Sequence, residues 1–65
     1  MKIKIITSLG TFTSDEITDV SLQDLQDTVK KAAGDGLMSF RMAVDGCPMY
    51  FAGELLKNSI FKIIK

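Results

Sequence analysis

The stretch Ser21–Gly34, SLQDLQDTVKKAAG, is the clearest helix signal in the chain, and its position decides the fold. Ser21 is a good N-cap, because its hydroxyl can accept from an orphan N–H of the first turn. Asp24, three residues on, gives a capping-box pattern with Asp in place of the usual Glu. Val20 before the cap and Leu25 after it are spaced as a hydrophobic staple. Leu22, Leu25, Val29, Ala32 and Ala33 fall on one face at the helical period. Asp24, Asp27 and Lys31 lie on the other, with Asp27 and Lys31 at the four-residue spacing that supports a helix. Lys30 and Lys31 suit the negative end of the helix dipole. Gly34 is the expected left-handed terminator.

Strand patterns flank this helix on both sides. Lys2–Ile5 alternates and Ile6-Thr7 continues a β-rich run, which predicts a strand with Ile3 and Ile5 inward. Ser8-Leu9-Gly10 is a turn signal, and Thr11-Phe12-Thr13 is the return arm, with Phe12 inward. After the helix, Met38, Phe40, Met42 and Val44 alternate with Leu37, Ser39, Arg41 and Ala43. Asp45-Gly46 is then a strong hairpin-turn signal. Met49 and Phe51 lie opposite Tyr50 in the return arm, and Pro48 marks that arm as an edge, because it has no N–H to donate. Ala52–Asn58 reads as a loop with one helical turn. Ser59–Lys65 reads as a terminal strand with Phe61 and Ile63 inward. The order is ββαβββ: a single α+β domain over residues 1–65, with two layers, a mostly antiparallel sheet and one helix on one face. Lys2, Lys4, Ile6, Ser39, Arg41, Tyr50, Ile60, Lys62 and Ile64 are expected on the uncovered face.

Composition limits what such a domain can do. The chain has 65 residues, 46% hydrophobic and 25% charged, with no His, no Trp and one Cys. A domain of this size buries only about 60% of its unfolded surface, and its stability margin is about 3–5 kcal/mol without staples. Cys47 has no partner for a disulfide, and there is no second Cys or His for a zinc site. An unpaired thiol and the lack of a signal-peptide pattern point to a reducing, cytoplasmic setting. No apolar run approaches the roughly 18 residues of a membrane span.

Catalytic sets are missing from the pattern. The residue most often used for general acid–base work is His, and there is none. Cys47 sits in Asp45-Gly46-Cys47-Pro48, where a neighbouring carboxylate disfavours the thiolate, so it reads as a small hydrophobe at a turn. Ser14–Asp19 gathers oxygen atoms without the spacing or the Gly of a calcium loop. Gly34-Asp35-Gly36 is too short and too acidic to cradle a phosphate. The expectation is a non-enzymatic protein with no cofactor and no metal.

Charge is informative by its placement. Eight Lys/Arg balance eight Asp/Glu. Between Gly10 and Val29, however, Asp15, Glu16, Asp19, Asp24 and Asp27 stand without a base. The first four residues carry Lys2 and Lys4, and the last nine carry Lys57, Lys62 and Lys65, with no acid in either stretch. Two candidate surfaces follow. The acidic patch Asp15, Glu16, Asp19, Asp24 and Asp27 suits a Lys/Arg groove on a nucleic-acid-binding protein, with salt-sensitive affinity. The second interface is the open sheet face, with Ile6, Arg41, Tyr50, Ile60, Lys62 and Ile64. Its single aromatic makes a poor platform for bases, so direct nucleic-acid binding ranks below protein contact.

A small chain with a ββαβββ pattern, no catalytic set and segregated charge resembles small phage-encoded inhibitors of host machinery, including the anti-CRISPR proteins. The resemblance lies in size and organisation and spans the whole chain. It implies a phage-encoded inhibitor in the host cytoplasm that blocks a nucleic-acid-handling complex, such as a CRISPR effector, by occluding a basic groove. The alternative is a structural or regulatory homo-oligomerisation module, a homodimer for example, that uses the open sheet face.

Overall fold

The computed structural model describes residues 1–35 and 40–65, with side chains described outside 33–39. The elements are β1 (Lys2–Thr7), β2 (Gly10–Thr13), α1 (Leu22–Asp35), β3 (Phe40–Val44), β4 (Cys47–Phe51), α2 (Gly53–Leu56) and β5 (Ile60–Ile64). The fold is α+β with antiparallel strands and one long helix, in the order ββαβββ with a single-turn α2 before the last strand.

The strands are divided between two sheets, where one was expected. The first has the order β2-β1-β5 and the second is the hairpin β3-β4. The cause lies in the connection after β2. Ser14 extends the β2 ladder, its N–H donating to Ile3 O at 2.8 Å. The extended register would place Met1 opposite Glu16, but the next bond runs from Ile17 N to Met1 O, one residue further on. The strand therefore carries an extra residue here, as in a bulge. Asp15 is diverted outward, and its N–H donates to Ala43 O of β3 at 2.8 Å. A single connecting residue thus bonds the backbone of β3 where a further strand of a continuous sheet would lie.

Local chemistry explains each element. In β1, Ile3 and Ile5 are buried while Lys2 and Ile6 are exposed, the alternation of a half-buried strand. The β1–β2 loop is Ser8-Leu9 alone, since Thr7 pairs with Gly10. Thr7 Oγ1 braces it, accepting from Leu9 N at 3.0 Å and donating to Gly10 O at 2.9 Å. Asp45 (φ 52°) and Gly46 (φ 79°) make the two-residue β3–β4 turn, the positive-φ pair that matches strand twist. Ser21 caps α1 through Asp24 N–H, which donates to its Oγ at 3.1 Å. Gly34 lies inside α1, which runs on to Asp35; an interior glycine costs about 1 kcal/mol against alanine but need not end a helix. Asp27 accepts from Gln23 Nε2 at 3.0 Å, the residue one turn before it. The expected positions of the Ala33 side chain, Gly36, Leu37, Met38 and Ser39 lie outside the described residues.

The core joins the two sheets to the helices. Ile3, Ile5, Leu25, Ala32, Phe40, Met42, Phe51 and Leu56 form one buried cluster. Two edge-to-face aromatic pairs bridge the sheets: Phe12 with Phe51 at 5.4 Å, and Phe40 with Phe61 at 5.7 Å. Such pairs are worth about 0.5–1.5 kcal/mol each beyond the area they bury. α1 adds Leu25 and Ala32 and touches α2 and β5. This leaves the other face of the three-stranded sheet outside the core.

Candidate protein-binding faces

The outer face of the β2-β1-β5 sheet is built by cross-strand register. Lys2 stands opposite Ile64, Lys4 opposite Lys62, and Ile6 opposite Ile60. On the other side, Lys4 faces Thr13 and Ile6 faces Thr11. Since successive side chains point to opposite faces, these residues share the face turned away from Ile3 and Ile5. Ile60 is 62% exposed, and Ile6 and Ile64 are 37% exposed each. Leu9, also exposed, sits at the tip of the β1–β2 hairpin beyond Ile6. Among the described residues the face carries three lysines, with Glu16 at its margin beside Lys2.

Lys4 and Lys62 are directly opposed across the ladder, an arrangement that like charges disfavour. Neither joins an ion pair; the pairs among the described residues are Met1 with Glu16 and Lys57 with Glu54. Lys2 is close enough to Glu16 to help lower its pKa.

The expected second interface therefore splits. Ile6, Ile60, Lys62 and Ile64 come together on this face. Arg41 and Tyr50 are an exposed cross-strand pair on the β3-β4 hairpin, in the other sheet. The split follows from Asp15 occupying the β3 backbone, which keeps β3 from extending the first sheet. The sequence reading missed Leu9, Thr11 and Thr13; the alternation of the return arm was the available signal for the two threonines.

The acidic patch also divides. The Asp15 side chain reaches across to the β3–β4 hairpin turn. Its Oδ1 accepts from Asp45 N–H at 2.8 Å and its Oδ2 from Gly46 N–H at 2.7 Å. Glu16 accepts from the Met1 ammonium through Oε2. That hydrogen bond, followed by the attraction of the terminal charge, holds the Glu16 carboxyl below its ordinary value. Asp19, Asp24 and Asp27 remain exposed, Asp19 with a left-handed φ of 65° and the other two in the first half of α1. They form a smaller acidic edge than the five residues expected.

Other chemistry is sparse. A groove of about 400 Å³ opens between α1 and β3, lined by Ile3, Ile17, Leu25, Phe40, Met42, Pro48 and neighbours, with Arg41 its one ionisable lining residue. Cys47 is free and exposed. Among the described residues no three potential ligands gather as a metal site. No described helix is long and apolar enough to cross a membrane. Comparison with known proteins finds no matching protein family, no matching curated protein and no matching solved structure.

Proposed function

We propose that the chain is a non-enzymatic protein-binding domain that works by occupying a partner's surface, with the outer face of β2-β1-β5 as its contact. One observation carries this reading: three exposed isoleucines share with three lysines a face that no described element of the fold covers. Exposed aliphatic groups gathered on one face are the mark of an interaction site, whereas the same residues scattered singly are not. The charge of the lysines adds orientation and encounter rate to the apolar area. A cytoplasmic setting suits the free Cys47, which would be at risk of oxidation elsewhere.

A second reading has its own support. Asp19, Asp24 and Asp27 form an exposed carboxylate edge, and the resemblance to phage-encoded inhibitors implies that such an edge occludes a basic groove on a host nucleic-acid-handling complex. The edge ranks second because Asp24 already has a use in the first turn, in favourable interaction with the helix dipole, and Asp27 accepts from Gln23.

One capture experiment separates the two. Immobilised full chain is exposed to host lysate at low and high salt, alongside Ile60→Asp and an Asp24→Asn/Asp27→Asn variant. The sheet-face reading expects Ile60→Asp to lose the partner while the acid variant keeps it. The reverse pattern supports the acidic edge and overturns the sheet-face reading. Wild-type capture by both variants, or no specific capture at all, overturns both.

A further inference from the structure

We infer that the partner of the outer sheet face is a protein surface with carboxylates set among apolar side chains, and not a second copy of this chain. The inference rests on the reading that this face is the contact surface, and it specifies what fits there. Among the described residues Lys2, Lys4 and Lys62 are its charges, and the nearest acid, Glu16 beside Lys2, is already held by the Met1 ammonium. Lys4 and Lys62 already oppose each other across the ladder, and neither is in an ion pair among the described residues. Two such faces pressed together would double the set of ammonium groups while removing the water that screens them, and like charge juxtaposed across an interface is strongly unfavourable. Carboxylates on a partner relieve this repulsion and accept charge-assisted hydrogen bonds.

The isoleucines decide between a protein and a polyanion. Ile6 and Ile60 form one end of the face, Lys4 and Lys62 its middle, and Lys2 and Ile64 the other end. Successive outward positions along a strand are about 6.6 Å apart. The matching surface therefore has acids at its centre, apolar groups on either side, and one further acid beside the apolar group that meets Ile64. A nucleic acid would answer the lysines and leave the isoleucines uncovered. It would also find no aromatic ring for its bases on this face, because Tyr50 belongs to the other sheet.

The test is selection of a random 12-residue peptide display library against the full chain, with Ile60→Asp as the counter-selection target. Selected peptides are then mapped by amide chemical shifts on the wild type. The expected peptides are net acidic with Leu, Ile or Phe flanking the acids. They perturb Lys2, Lys4, Ile6, Ile60, Lys62 and Ile64, and weaken at least tenfold on a Lys4→Glu/Lys62→Glu variant. Peptides that map to this face but are neutral or basic overturn the inference and leave the contact face standing. So does a concentration-dependent dimer in sedimentation that Ile60→Asp abolishes. If no selected peptide maps to this face, the contact reading itself falls. Ile60 is exposed, so its variant is expected to keep the wild-type amide spectrum, which serves as the folding control.

Discussion

The connection Ser14–Ile17 and the first turns of α1 both carry carboxylates, and they hold them differently. In the connection, Asp15 grips the two N–H groups of a hairpin turn in the other sheet and Glu16 grips the chain terminus. On α1, Asp24 and Asp27 are exposed, one beside the cap and the other bonded only to a glutamine a turn away. Four acids of one sign, close in sequence, thus serve two purposes. Of the first pair, Asp15 ties the two sheets together and Glu16 pins the start of β1, while the second pair faces outward. A charge run along a chain is therefore no measure of a charged surface until the donors around it are known.

Removing members of this latch one at a time sharpens the contrast. The largest effect is expected from a neutral residue, Ser14. It is 3% exposed, its Oγ accepts from Ile3 N–H at 2.8 Å, and it donates to Asp15 O at 3.0 Å. Ser14→Ala leaves the Ile3 N–H buried without a partner, at a cost of about 2 kcal/mol. Urea unfolding measures this directly, and an unchanged midpoint would break the account of how the connection is held to β1.

Asp15→Ala removes two hydrogen bonds to a charged acceptor, yet it is expected to cost less, about 1.5 kcal/mol. The N–H groups of Asp45 and Gly46 are at an exposed turn and regain water when the carboxylate goes. Asp24→Asn is smaller again, about 0.5 kcal/mol, through weaker interaction with the helix dipole, and Asp27→Asn, beyond the first turn, costs no more than that, through a weaker bond from Gln23. If either helix variant destabilises the fold as much as Asp15→Ala, the division into a holding pair and an outward pair fails.

How much of this can be read along the chain depends on range. The alternation of Ile3 and Ile5 with Lys2, Lys4 and Ile6 is local, and so is the demand of Asp45-Gly46 for positive φ. Both strands and turn follow from neighbours in sequence. The cap at Ser21 is equally local. The Asp15 bond to Asp45 spans 30 positions and has no sequence mark, because Asp before a helix is ordinary in a polar connection. The division into two sheets rests on the equally long-range bond from Asp15 N–H to Ala43 O and on the extra residue between Ser14 and Ile17, so a single sheet is the natural reading without them. The same gap puts Arg41 and Tyr50 beside Lys62 on paper and in another sheet in the fold. The face formed by Ile6, Ile60, Lys62 and Ile64 is legible because antiparallel pairing of the two terminal strands brings their outward positions together.

Glu16 offers the finest probe of the latch, through pH. Its carboxyl titrates below its ordinary value because the Met1 ammonium donates a hydrogen bond to it and attracts its charge, with a minor contribution from Lys2. In the unfolded chain these partners are lost and the carboxyl returns to its ordinary range. Between the folded and unfolded values the unfolded state holds the extra proton, so stability rises with pH there. The contribution is fully present above the ordinary carboxylate range and disappears as pH falls through the lowered folded value. Glu16→Gln removes the titrating group. The stability gap between wild type and this variant, measured by urea unfolding at a series of pH values, is thus expected to be constant near neutrality and to close on acidification. The gap is expected to be the smallest in the series, because the pair is solvated and screened. A gap that widened as pH fell would mean that Glu16 is held by something other than the terminal charge.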